Sequence, residues 1–209
     1  GPTDPIYDPV LKKMIIKPSH AKARTYGYSL ANSVIEAFHA GDFEQSPEPS
    51  ITIYSQEIEL GLENFMLTLG ALLGVIDTDP KFSLMPPFVR YLSEAAFIKI
   101  GDASITGVPG ELSPEIAVGG IENPDGADFE MAPQEVPHLR SQYSEKLNLM
   151  VNLANDSIGY IIPKSEWDND APWIYGETEE TYGEVVSLGP NTAPKIHENI
   201  IKLIEESKN

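Results

Sequence analysis

Residues 95–108 read Ala-Ala-Phe-Ile-Lys-Ile-Gly-Asp-Ala-Ser-Ile-Thr-Gly-Val. β-Branched and aromatic residues flank Gly101-Asp102, a pair suited to a tight hairpin turn. The stretch predicts two strands, Ala95 to Ile100 and Ala103 to Val108, joined as a hairpin. Working outward, Ile51 to Ile58 alternates and is β-branched, which predicts another strand. Leu147 to Leu153, Ser157 to Ile162 and Tyr182 to Leu188 read as further strands. Between them lie helical patterns. Ser19 is an N-cap for a helix running to about Ala40 and stopped by Gly41, with Leu30, Val34, Ile35 and Phe38 at helical spacing. Asn64 to Leu73 reads as a second helix, and Ser113-Pro114-Glu115 opens a short third with proline in its first turn. Asn191 or Thr192 caps the last, in which Ile196, Ile200, Ile201, Leu203 and Ile204 form one apolar face.

Strands and helices intermix without any repeat, so the expected fold class is α/β: a mixed β-sheet packed with helices, in a single domain with long Pro/Gly-rich loops. Residues 1–18, with Pro2, Pro5, Pro9 and Pro18, are expected to form an extended N-terminal arm holding at most a short element near Leu11 to Ile16. Residues 19–209 would then be the α/β domain, with Pro47-Glu48-Pro49 separating its first helix from its first strand. The loops at 77–87, 119–138 and 163–180 are long for structureless connections, a property of functional or partner-facing segments.

The 209 residues include 14 Lys and Arg against 32 Asp and Glu, a formal charge of −18. That balance excludes a nucleic-acid partner, which requires clustered cations, and disfavours anionic membrane surfaces. With 41% hydrophobic residues the chain can still bury a core. The lack of cysteine excludes disulfides, thiolate metal sites and a cysteine nucleophile. The longest apolar run, Phe65 to Ile76, is interrupted by Thr68, Gly70 and Gly74 and falls short of the ~20 residues of a membrane span, so no transmembrane segment is expected. An opening Gly1-Pro2 in place of Met is what a protease scar, a processed precursor or an excised domain would each show.

Four segments carry residues capable of chemistry. Gly107-Val108-Pro109-Gly110-Glu111 places a carboxylate where a strand stops; Glu111 reads either as an exposed turn residue or as a ligand for a hard cation. Leu153-Ala154-Asn155-Asp156-Ser157-Ile158-Gly159-Tyr160 opens on an Asn-Asp turn and puts Ile158 and Tyr160 on one face; Tyr160 reads either as a core tyrosine bonded to a carbonyl or as a site residue. Tyr182 to Ser187 and Gly189-Pro190-Asn191-Thr192 follow, the latter leading into a helix start that suits an anion or a simple cap. The four histidines, His20, His39, His138 and His197, are not spaced to seed a local metal pair, and His197 is expected at the solvent face of the last helix. Asp125, Asp128 and Glu130, and separately Asp168 and Asp170, have spacings open to calcium but read better as solvated loop acids. Gly-x-Ser-x-Gly is absent.

In order and spacing, Val-Pro-Gly-Glu at 108–111, Asn-x-x-x-Gly-Tyr at 155–160, the Tyr-Gly-Glu-Val segment at 182–185 and the Gly-Pro helix start resemble the later part of the catalytic domain of the neutral/alkaline (non-lysosomal) ceramidase family. The Asn64-Phe65 region and Gly101-Asp102 share the likeness, which extends over roughly residues 20–207. The resemblance implies a zinc-dependent amidase acting on N-acyl sphingoid amides. In that family, zinc is held by two histidines from the earlier half of the domain, the Glu of Val-Pro-Gly-Glu and a Tyr of the Asn-turn segment. The matching residues are Glu111 and Tyr160 as metal ligands, with Tyr160 and Tyr182 in catalytic or supporting roles. A carboxylate and a phenol would leave room for water in a mixed nitrogen and oxygen zinc shell. Three features depart from the family. Ser157 stands where a further Tyr is frequent, the acidic loop before Tyr182 is longer, and the histidine-rich zinc motif is absent. The resemblance therefore implies the C-terminal part or subunit of a larger catalytic domain. Its partner would be a missing N-terminal half or partner chain, its cofactor zinc in the complete enzyme, and its substrate an N-acyl amide or ceramide-like lipid. The alternative is a non-catalytic scaffold or binding domain of the same ancestry, working through loops 119–138 and 163–180. A complete small enzyme with its own metal site is disfavoured by the scattered histidines.

Overall fold

A computed structural model describes residues 4–41, 50–75, 80–179 and 181–208. The Pro47-Glu48-Pro49 separator and the start of the 77–87 loop lie outside the described residues. The chain forms two compact units, residues 1–47 and 48–209.

In the first unit, β1 (Ile6–Asp8) and β2 (Lys13–Ile15) pair antiparallel, and α1 (His20–Ala40) follows. Ser19 caps α1 through its hydroxyl, which accepts from Lys22 N at 3.2 Å, and Gly41 ends the helix in the left-handed region. Asp8, buried at the hairpin turn, accepts from Val10 N and Leu11 N and from the Thr25 hydroxyl of α1. Those donors, the Leu11 amide first, hold its carboxyl below the usual carboxylate range. The apolar residues of α1 at helical spacing, Leu30, Val34, Ile35 and Phe38, are exposed.

The second unit is α/β with a mixed sheet. Its elements are β3 (Ile51–Gly61), α2 (Phe65–Leu72), β4 (Lys81–Phe82), β5 (Val89–Ile100), β6 (Ala103–Gly107), β7 (Glu111–Leu112), α3 (Pro114–Val118), β8 (Leu147–Val151), β9 (Tyr160–Ile161), α4 (Tyr182–Val185) and α5 (Thr192–Glu206). The main sheet has the order β3-β5-β6-β8, and β4 pairs β5 off that path. The β5–β6 hairpin turns at Gly101-Asp102 as the sequence predicts, with Ile100 opposite Ala103. β8 joins β6 in parallel, so the sheet is mixed. A second, two-stranded sheet pairs β7 with β9 in parallel.

α5 packs on the β3–β5 face of the sheet. Ile196, Ile200, Leu203 and Ile204 from the helix and Leu60, Ala95 and Phe97 from the strands are all essentially inaccessible to water. The Phe97 ring stacks on Tyr143, whose hydroxyl lies 2.7 Å from that of Thr106, so the buried phenol has a partner. The opposite face is different. Cross-strand rows Ile53-Ile98-Ile105-Leu149 and Ile51-Ile100-Ala103-Leu147 run across it, and Ile51, Ile53, Leu147 and Leu149 are exposed there.

Two predicted strands change. Tyr182 to Leu188 is not a strand: α4 takes its first four residues as one helical turn. The β-branched pair Val185-Val186 supplied the strand signal, but Gly183 lies so close to Ile162 that a Cβ would stand 2.8 Å from its Cδ1, and the segment docks by its turn. The Ser157 to Ile162 strand shrinks to Tyr160–Ile161 because Gly159 has φ +87° and breaks the alternation. Truncation of Ile200 to Ala is expected to lower the unfolding free energy by about 2–5 kcal/mol, read by denaturant titration, whereas Lys202→Ala on the solvent side is expected to change it by less than about 0.5 kcal/mol.

Candidate functional site

The parallel ladder between β7 and β9 brings Glu111 directly opposite Tyr160. Glu111 N donates to Gly159 O at 2.9 Å, and Tyr160 N donates to Val186 O at 3.3 Å, so strand ends and the residue after α4 are stitched together by backbone bonds. Both glycines at this crossing are required by space. A Cβ on Gly110 would lie 2.5 Å from Gly159 O, and one on Gly159 would lie 1.9 Å from Val186 O. Val-Pro-Gly-Glu and Asn-x-x-x-Gly-Tyr thus converge because each carries its glycine at the point of closest approach.

The three residues singled out from sequence are brought together. The Glu111 carboxylate stands near enough to the Tyr160 phenol for its charge to act on it. Tyr182, on α4, sets its ring edge-on to Tyr160 with centroids 6.0 Å apart and planes at 76°. Glu111 and Tyr182 are exposed and Tyr160 is half-buried, so the cluster opens to solvent. The charge of Glu111 foremost, then partial burial and Tyr182, pushes the Tyr160 phenol above its ordinary value.

The turn before Tyr160 is anchored from below. Asp156 accepts from the Tyr91 hydroxyl at 3.0 Å and from the Ser93 hydroxyl at 2.7 Å, both on β5, and from Ser157 N. Burial, and then the Asp156 carboxylate, pushes the Tyr91 phenol up to about 12. Ser157 is exposed. Beside Gly159 runs a small apolar cleft of about 160 Å³ walled by Leu62, Leu67, Ile158 and Leu188. On the other side of α4 lies a cavity of about 350 Å³, bordered by Asn64, Phe65, Trp167, Glu184 and Pro190.

The remaining expectations fare unevenly. His197 is buried, not at the solvent face, and pairs through Nε2 with Pro137 O at 2.8 Å. His138 Nδ1 lies 3.3 Å from Ala117 O. Asn191 stands at the N-cap of α5, but its amide donates to Glu63 and its oxygen accepts from Lys164 Nζ, so its side chain does not cap the helix. Asp168 is not a solvated loop acid: it is fully buried, accepts from Ile174 N, and has its carboxyl pushed up by burial. Asp128 receives the N–H groups of Asn169 and Asp170, which ties the two acidic loops to each other.

For the implied zinc, Glu111 and Tyr160 are chemically suitable oxygen donors that already converge, yet they make only half of a tetrahedral shell. Among the described residues there is no group of three His, Cys, Asp or Glu able to hold a metal. The residues present fit zinc as part of a shell completed from elsewhere. Compared with known proteins, the sequence matches no family model and no curated protein.

Replacing Glu111 with Gln is expected to lower the Tyr160 pKa, seen as earlier phenolate absorbance during alkaline titration and assigned by Tyr160→Phe. For Tyr91 the sign is opposite in its use. Its phenol is raised in the fold above the unfolded value near 10, so the stability it adds is complete below that pH and drains away as pH climbs toward about 12. The unfolding free-energy gap between the wild type and Tyr91→Phe is accordingly expected to narrow over that interval.

Proposed function

We propose that this chain is the C-terminal part or subunit of a ceramidase-like zinc-dependent amidohydrolase that cleaves N-acyl amides. The observation that carries the reading is the Glu111–Tyr160 pair, two oxygen donors from separate strand ends placed opposite each other, with Tyr182 against the second. The family resemblance names the same three residues on independent grounds. Two histidines would come from a missing N-terminal half or partner chain, in keeping with the lack of a complete donor group among the described residues.

Bound zinc supplies Lewis acidity to an amide carbonyl and acidity to a water. What the chain contributes follows from its own groups. Glu111 offers a carboxylate oxygen on an exposed strand end, and its backbone N–H, tied to Gly159 O, fixes the angle of approach. Tyr160 holds its proton at the phenolic oxygen while the Glu111 charge stands beside it. A cation shared by the two oxygens would reverse the balance and favour the phenolate. Tyr182 limits rotation of the Tyr160 ring by its edge contact. The apolar cleft along Gly159 supports an acyl-chain substrate, and the exposed apolar rows of the main sheet support a chain that is completed by a partner.

The alternative, a scaffold without metal chemistry, separates cleanly by mutation. In the enzyme assembled with its histidine-bearing half, Glu111→Ala and Tyr160→Phe are each expected to cost more than the roughly 10–100-fold typical of groups outside the metal shell, measured as amide hydrolysis. Retention of full activity by both variants would overturn the site. Zinc titrated into this chain alone is expected to show no sub-micromolar 1:1 binding, since two oxygen ligands hold it weakly.

A further inference from the structure

The helix bearing Tyr182 is only four residues long, too short to satisfy its own C-terminal carbonyls. It also has little apolar anchorage, since Tyr182 and Val185 are both exposed. Its placement must therefore come from hydrogen bonds. One side chain gathers three acceptors: the two N–H groups of Asn64 Nδ2 are shared among Val185 O at 2.9 Å, Ser187 O at 3.2 Å and Glu184 O at 3.4 Å. The other end of the same amide is occupied as well, because Asn64 Oδ1 accepts from Leu67 N at 3.1 Å and caps α2. Backbone bonds reinforce the join, with Glu63 N and Asn64 N both donating to Leu188 O. Between the carbonyls that Asn64 gathers lies Val186 O, which receives Tyr160 N.

We propose that Asn64 is the positioning residue of the tyrosine pair, its carboxamide clasping α4 so that the Tyr182 ring is held against Tyr160. The role in catalysis rests on the amidohydrolase reading above; the role in geometry does not. Only a primary amide performs both tasks at this position. Aspartate keeps the acceptor that caps α2 but turns a second anionic oxygen toward three carbonyl oxygens. Serine retains a cap of similar strength and removes the donor without adding charge. Asn64→Asp and Asn64→Ser therefore release α4 while leaving α2 its N-cap.

The test uses the metal-free chain, uniformly isotope-labelled so that tyrosine rings, side-chain amides and backbone are all observed. In the wild type, a nuclear Overhauser contact is expected between the Tyr160 and Tyr182 rings, and the Asn64 side-chain NH₂ is expected to exchange with water more slowly than exposed asparagine amides. In both variants the ring contact is expected to vanish, with backbone resonances of α5 and the main sheet unchanged. Persistence of the ring contact in both variants would overturn the proposal. So would exchange of the wild-type Asn64 amide at the exposed rate, an outcome that needs no variant to fold. In the assembled enzyme, kcat for Asn64→Ser is expected to fall about 10–100-fold, as for groups that orient a metal ligand. If the ring contact responds but no assembly hydrolyses amides, the enzymatic reading fails and the clasp stands.

Discussion

Everything that makes Glu111 and Tyr160 neighbours depends on a near-collision of backbone. β7 and β9 run parallel for only two residues each, a ladder too brief to hold itself. Its stability comes from the layers above and below: Gly159 passes so near Val186 O, and Gly110 so near Gly159 O, that neither tolerates a Cβ. The buried flank, Leu112, Ile158 and Ile161, then locks the crossing into the core under α5. The residues after the two glycines, Glu111 and Tyr160, are thereby set side by side in the ladder at the surface.

Much of the scaffold was legible because its signals are local. The β5–β6 hairpin follows from a turn dipeptide between β-branched runs, and α5 follows from an apolar stripe repeating at helical spacing. Ser19 and Gly41 bracket α1 for similarly local reasons. The tyrosine cluster was named through a resemblance and not through any residue pattern; no spacing in the chain places position 111 opposite position 160, since a parallel pair carries no hairpin signal. α4 was misread for the complementary reason. Val185-Val186 has the composition of a strand, whereas its conformation is decided by Ile162 crowding Gly183 and by the amide of Asn64, contacts made across the fold.

The acidic residues show the same division between local and long-range information. A formal charge of −18 invites the view that loop carboxylates are solvated, and for Asp125 that is reasonable. Asp168, Glu135 and Glu184 are nevertheless buried. Each is used as an acceptor for structure: Asp168 for Ile174 N, Glu135 for Lys164 N, Glu184 for the Thr181 hydroxyl. The first two bonds tether the loop at Lys164 and Ile174, beside its two short 3₁₀ turns. Sequence spacing does not reveal such acceptors, because for Asp168 and Glu135 the donors are backbone N–H groups, which every residue but proline possesses.

The chemistry at the strand ends has a direction that follows from its charges. With Glu111 ionised, a second negative charge on Tyr160 is disfavoured, so without a metal the phenol keeps its proton. A cation shared by the two oxygens would act in the opposite sense, since its charge favours the phenolate. On the proposed reading, the cost of stripping the phenol is met only when histidines from the completing half hold the ion in place, which makes assembly, rather than folding of this chain, the step that switches the site on.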